Sequence, residues 1–375
     1  MKTPRHNKSE AIAKALQADF LRSSLPSGAL VSSTRDIAEQ YQVSPLTAHK
    51  ALQKLVDEGM LFRVRGSGTY LKQGFQKTQR IGIADSSITW LYNKEMVQTQ
   101  NQIINYCLDY LSEQNYTVQT ISYAELTNVR TASRLLTDLD GLLLSYNYFD
   151  TIVLSHLKGR LFPIILYRHE FVDPSPLSQV IYDFEPGIRE AIRELHISPD
   201  DPPVLIYEAT PSSLARKKVW MEQLVRTGFS EKQLLSYEVH YNNRLVECFR
   251  LARVYGPKLQ GRLLITCTDD IAASIIDALA PEGLLPGRDF RLLSIGNSEQ
   301  YGFKLFQQPG IASIDMPMKN IALESCKLLI RQIQDPSNCQ HIIRIPGHFI
   351  MRSSAAIPED NISLPISYQT KGVQS

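Results

Sequence analysis

The chain has 375 residues, too many for one ordinary core, so two or three domains are expected. Hydrophobic residues make up 43% and charged residues 21%, a globular composition. No run of about 18 uncharged apolar residues offers a membrane span. The formal charge of +2 is unevenly placed: residues 1–80 hold 13 Lys and Arg against 6 Asp and Glu, the remainder 27 against 32. A basic head on an acidic body points to a polyanion as the partner of the head. The start, MKTPRHNKSEAIAKALQ, lacks the apolar core of a secretion signal, so a cytoplasmic protein is expected. The five cysteines, Cys107, Cys248, Cys267, Cys326 and Cys339, form no CxxC and read as reduced thiols, several of them buried, with no metal or disulfide role.

In chain order, SEAIAKALQADFLRSS places Ile12, Leu16 and Phe20 on one helical face, with Ser9 as the expected N-cap. A Pro/Gly turn follows in LPSGALV. Ser33 and Asp36 then open a short second helix as a capping box. Ser44 caps a third helix, with Pro45 at its first position, where a missing N–H costs nothing. Ala48, Ala51, Leu52 and Leu55 form its inner stripe, and Gly59 stops it. Thr47, His49, Lys50 and Lys54 face out. A short helix, a tight turn and a second helix with a polar outer face form a helix-turn-helix, whose second helix enters the major groove of duplex DNA. LFRVR and TYLK then read as a hairpin tipped by Gly66, Ser67 and Gly68. Arg63 and Arg65 share one side of it, suited to phosphate or the minor groove.

KQGFQKTQ reads as a hinge. From Arg80 the pattern changes to buried strands alternating with helices. RIGIAD, YTVQTIS, DGLLLSY, FPIILYR, PVLIYEA, QLLSYEVH, RLLITCT and DFRLLSIG are the strands. Helices are expected near 94–114, 131–137, 212–228, 243–255 and 270–280. That alternation predicts doubly wound parallel sheets, in two lobes with a cleft at the carboxyl ends of the strands. The expected organisation is a winged helix over 1–73, a linker over 74–79, a two-lobed α/β domain over 80–358 and a polar tail over 359–375.

Residues 9–72 resemble the GntR-type winged helix. The Pro-x-Gly turn, Ser-x-Arg-x-Ile-Ala, Val-Ser-x-x-Thr, Leu-x-x-Glu-Gly-Met-Leu and Gly-x-Gly-Thr occur in the family's order. The resemblance implies that Arg35, Ser44, Pro45, Thr47 and His49 face DNA, with Arg65 and Gly66 in the wing. The outward Lys50 and the wing's Ser67 complete the expected surface. Pro45 and His49 stand where the family often has Arg, so base preference does not carry over.

The body resembles LacI-type regulators, whose effector domain has the periplasmic-binding-protein fold. RIGIADSS, DGLLLS, VIYDFEPG, LLITCTDDIAAS, DFRLLSIGNS and IPGHFIMRSS run in the same order. A GntR-type head on such a body is the architecture of some arabinose-responsive repressors. The resemblance implies cleft roles for Asp85, Ser86, Trp90, Tyr146, Arg168, Arg216, Thr268, Asp269 and Asn297. Arg216 stands at a sugar-binding Arg, where a fork suits vicinal hydroxyls or a carboxylate. A surface ion pair for Arg216, a helix cap for Asp269 and a packed interface for Trp90 stay open as alternatives. Thr268, Gly296 and Phe184 replace the family's Asn, Asp and Asn. The expected function is a DNA-binding regulator, a homodimeric repressor controlled by a small polar effector such as a sugar. The alternative is a body that only dimerises. No GxSxG, HExxH, P-loop or strand-linked GxGxxG is present, so no enzyme, metal or cofactor is expected.

Overall fold

The computed structural model describes residues 8–22, 29–64, 66–71, 79–85, 94–160, 162–302, 310–335 and 340–356. The head begins with α1 (Lys8–Arg22), α2 (Thr34–Gln40) and α3 (Pro45–Asp57), followed by the antiparallel hairpin β1 (Leu61–Val64) and β2 (Gly68–Leu71). Ser9 is the second residue of α1, one turn-step inside the helix, and not its cap. At α2 the expected capping box is present between Ser33 and Asp36. Ser44 caps α3 by accepting from the Thr47 N–H at 3.2 Å. Ala48, Ala51, Leu52 and Leu55 turn inward against Ile12, Leu16 and Ile37. The small side chains of α3 let it lie close to both other helices. Gly59 takes φ of 77°, which reverses the chain into β1.

The first lobe runs β3 (Arg80–Ala84), α4 (Lys94–Glu113), β4 (Thr117–Ile121), α5 (Tyr123–Thr127), α6 (Val129–Leu135), β5 (Gly141–Ser145), α7 (Thr151–Leu157), β6 (Ile164–Tyr167) and β7 (Ser178–Asp183). The second runs α8 (Glu185–Glu194), β8 (Val204–Glu208), α9 (Pro211–Arg226), β9 (Leu235–Val239), α10 (Arg244–Leu259), β10 (Leu263–Thr266), α11 (Asp269–Leu279), β11 (Arg291–Gly296) and β12 (Ala312–Asp315). The chain then returns to the first lobe with α12 (Met318–Gln334) and β13 (Ile342–Pro346), and ends in the second with β14 (Phe349–Ile350). The first sheet has the order β4-β3-β5-β6-β7-β13, all parallel. The second has the order β9-β8-β10-β11-β12-β14, parallel except for β14. Strands such as Leu142–Leu144 and Leu263–Ile265 are uniformly apolar because helices cover both faces.

The chain passes between lobes at Phe184, Met316–Pro317 and Gly347–His348, and these crossings lie side by side. The Gly347 N–H donates to the Asp183 carbonyl at 2.9 Å, and the Asp315 N–H to the His348 carbonyl at 2.9 Å. A Cβ on Gly347 would lie 2.6 Å from the Asp315 carbonyl oxygen, so only glycine lets the strands approach this far. Among the described residues no helix is long and apolar enough to cross a membrane. The four described cysteines are buried free thiols, and burial pushes Cys248 and Cys267 up to about 12. Cys339, residues 74–78 and the tail 359–375 lie outside the described residues.

Candidate functional site

Two places bring polar groups together. On the head, Ser44, Pro45, His49 and Lys50 are exposed and Thr47 half-buried around the start of α3. The Ser44 hydroxyl lies 2.8 Å from the Thr47 hydroxyl. Leu46, 64% exposed between them, was not singled out from sequence; its outward place on the helical wheel is the signal that marks it. An exposed Leu at a helix tip can meet a thymine methyl. Arg35 on α2 is exposed and only loosely paired with Glu39 at 3.4 Å. Lys54 is not available to DNA in the same way, because its ammonium bonds Glu10 at 2.7 Å.

In the wing, Gly66 (φ 76°) and Gly68 (φ 141°) make the turn, and Gly68 passes under Leu30. The Ser67 hydroxyl lies 2.5 Å from the Tyr70 hydroxyl, and Tyr70 stacks on Phe62 with ring centroids 5.6 Å apart. An isolated bridge joins Leu30 to Tyr70, and backbone bonds from Val31 N–H to the Thr69 carbonyl and from Leu71 N–H to the Ala29 carbonyl tie this segment to the hairpin. Arg65 lies outside the described residues, as do Ser86 and Trp90.

The second place is the cleft at the carboxyl ends of both sheets. Arg216, 6% exposed on α9, reaches across to Glu170, which follows β6 in the other lobe. Its Nε and Nη2 donate to the same Glu170 oxygen, Oε1, at 3.2 and 2.7 Å. Nη1 donates to the Cys267 carbonyl at 3.0 Å, and the guanidinium lies 5.3 Å from the Phe184 ring centroid. Asp85 is fully buried after β3, accepting from the Tyr167 hydroxyl at 2.5 Å and from Arg168. Arg168 sits at φ of 67°, a left-handed backbone that turns its side chain back under β3.

Tyr146 stacks on His169 and meets Phe171 edge-on, each at 4.9 Å between centroids, with its hydroxyl 3.4 Å from Asp173. The Gln179 amide is oriented by the backbone of Asp173, so His169 Nε2 must donate to Gln179 Oε1 at 3.1 Å. Burial lowers the His169 pKa.

On the opposite wall Thr268 caps α11 by accepting from the Ile271 N–H. Asp269 accepts from the Ser294 hydroxyl at 2.6 Å and the Ser298 N–H at 2.8 Å, close against Gly296. Asn297 accepts from Arg352, and its own N–H donates to the Ser313 hydroxyl at 2.9 Å. Arg244 pairs with Glu208, with Asp270 at 4.0 Å; burial raises the Asp270 pKa. Beside them Ala209, Thr210, His240, Tyr241, Asn242 and Asn243 line a hollow of about 390 Å³.

The structure therefore brings Arg216 and Tyr146 to the cleft, with Asp85 and Arg168 paired beneath. It uses Thr268, Asp269 and Asn297 to fix the ends of β10 and β11. Glu170 and Tyr241 were missed from sequence, and Phe184, noted there only as a replacement of the family's Asn, packs its ring against the Arg216 guanidinium. For Glu170 the signal was present: RHEF follows the apolar IILY at the carboxyl end of a buried strand.

The gntR family of bacterial regulatory proteins matches residues 8–71, and the periplasmic binding protein-like domain matches residues 219–355. The chain joins a GntR-type head to a periplasmic-binding-protein-like body. The probable HTH-type transcriptional repressor ExuR of Bacillus subtilis is 20% identical, over 85% of this chain and 97% of its own length. A LacI family transcriptional regulator from Enterococcus faecium, solved with bound ribose, superposes with a TM-score of 0.57 at 17% identity, over 73% of this chain and 97% of that one. A lac repressor dimer bound to operator and the anti-inducer ONPF gives a TM-score of 0.59 at 14% identity, covering 95% of this chain and 100% of that one. At these identities the superpositions establish the fold of the GntR-headed chain. ExuR is described as a probable transcriptional repressor, in keeping with the head's geometry.

Proposed function

We propose that this chain is a transcription repressor that binds operator DNA as a homodimer and is controlled by a small sugar held between the lobes. The observation that carries the reading is the exposed start of α3, where Ser44, Pro45, Thr47, His49 and Lys50 stand beside a Gly-tipped wing. A helix end of small polar residues enters the major groove, while Arg35 and the wing, with Arg65, Gly66 and Ser67, hold phosphate. A pair of heads reading a two-fold related site requires a dimer. The repressor ExuR, similar over most of this chain, supports the regulatory role, and the ribose in the Enterococcus faecium structure supports a sugar in the cleft. Closure of the lobes on ligand would shift the head equilibrium by no more than the ligand's differential affinity for the two states. The division into a head over 1–73, a linker over 74–79 and a body over 80–358 belongs to this reading, as does a cytoplasmic location, where the DNA is.

Selection of bound sequences from random duplexes by the full chain tests the reading. The expected result is one enriched motif with two-fold symmetry; no enrichment at low salt refutes it. Internal use of Asp85, Asp269 and Asn297 favours a second reading, in which the body only dimerises. Thermal shifts against sugars separate the two, since stabilisation by any one excludes the second.

A further inference from the structure

We propose that the cleft is built for an uncharged, hydroxyl-rich effector, and that Glu170 is the residue that sets this preference and turns away sugars carrying a carboxylate or phosphate. The inference deepens the effector reading above and rests on it.

Each guanidinium described in the cleft already has a carboxylate. Arg216 has Glu170 at 2.7 Å, Arg168 has Asp85, and Arg244 has Glu208 with Asp270 at 4.0 Å. Lys217, next along α9, rests its ammonium 3.6 Å from the Tyr207 ring centroid. An anionic ligand therefore meets no uncommitted guanidinium among the described residues and enters beside several carboxylates. Were such a ligand to take Arg216 for itself, Glu170, whose side chain is 4% exposed, would be left buried without its partner.

Glu170 also has something to offer. Both Arg216 donors converge on Oε1, and Oε2 is buried with no hydrogen-bond partner among the described residues. A buried carboxylate oxygen without a donor is costly, and a ligand hydroxyl supplies that donor. The Ser145 hydroxyl, at the end of the neighbouring strand β5, is likewise buried with no hydrogen-bond partner among the described residues, able to donate or accept. The Tyr146–His169–Phe171 cluster adds an aromatic wall, against which the C–H face of a sugar ring packs. Neutral hydroxyls thus satisfy what the cleft lacks, and an anion does not.

The test uses the full chain and matched pairs of probes that keep the sugar ring: D-galactose with D-galacturonate, D-glucose with D-glucuronate, and D-glucose with D-glucose 6-phosphate. Thermal shift screens them and calorimetry measures the hits. The inference expects at least one neutral sugar to bind and its acid partner to bind at least tenfold more weakly. In Glu170→Gln that neutral sugar loses about ten- to a hundredfold in affinity, as for a hydrogen bond to a charged group, while the acid partner gains. Wild-type protein that binds an acid as tightly as its neutral partner overturns the inference and leaves the effector reading standing. Unchanged selectivity in a folded Glu170→Gln variant overturns the role of Glu170. No response to any probe, with operator binding intact, removes the effector reading and this inference with it. The wild-type comparison decides the charge preference even if the variant does not fold.

Discussion

Substituting Gly347 by alanine tests whether the three crossings are held together by close backbone approach. The added Cβ would stand 2.6 Å from the Asp315 carbonyl oxygen, 3.2 Å from Phe184 Cδ1 and 3.4 Å from Ile314 Cγ2. The nearest of these is backbone, which cannot rotate away as a side chain does. The crossings must part, straining the Gly347–Asp183 and Asp315–His348 bonds, both 2.9 Å. Overpacking of this kind costs roughly 1–3 kcal/mol. Gly256→Ala is the control: in α10 its Cβ would find its nearest neighbours at 3.7 and 3.9 Å. Pro257 follows it and opposes a helical backbone at any preceding residue that carries a Cβ, which offsets the gain from relieving a helical glycine, so Gly256→Ala should be near neutral where Gly347→Ala is destabilising. Trp220 is fully buried in the body, so urea unfolding followed by its fluorescence, in a Trp90→Phe background, reads the body alone. If Gly347→Ala matches the parent midpoint, or Gly256→Ala is the more damaging of the two, the close-approach argument is wrong.

Three further outcomes follow from the same geometry. Asp269→Ala strands the buried Ser294 hydroxyl and the Ser298 N–H, and the body should lose roughly 2 kcal/mol in urea unfolding; a loss below about 0.5 kcal/mol would show that the aspartate is no brace. Arg35→Ala should reduce the slope of log affinity against log salt by about 0.9, the signature of one lost phosphate contact, in a fluorescence-anisotropy titration with operator duplex. Glu190 accepts from the Phe349 N–H at 2.9 Å and faces His348 at 3.3 Å; these contacts hold its pKa below the ordinary 4.5. A depressed carboxyl stabilises above its unfolded pKa and loses that contribution as pH falls through the folded one. Glu190→Gln should therefore be less stable than wild type near neutrality and converge with it in acid, flattening the acid side of the pH–stability curve; parallel curves would exclude this role.

The head was legible because its signals are local. The Ser33–Asp36 box, the Ser44 cap, the small inner face of α3 and Gly59 each act within a few residues of themselves. The body's central strands were legible because burial on both faces writes them as apolar runs. Partnerships between distant residues were not legible. Glu170 meets Arg216 across two lobes, and Lys54 meets Glu10 from another helix; nothing in either local pattern encodes this. Asp269 looked equally like a ligand contact or a cap. Its role as a brace depends on Gly296 at φ of 148°, which brings the end of β11 against its carboxylate. Ser9 was misplaced as a cap because a polar residue inside a first helical turn looks the same in sequence as one just before it.

The side-by-side crossings carry a mechanical consequence. In a parallel sheet all strands present the same end to the cleft, so Asp85 marks one end of β3 and Arg80, where the chain enters the lobe, the other. On the function proposed above, the first lobe would serve as a rocker arm: a ligand would press at one tip, the chain toward the head enters at the opposite tip, and the stitched pivot lies near the loaded end. Small tilts at such a fulcrum are magnified at the far tip, with no need for any rearrangement inside the arm itself.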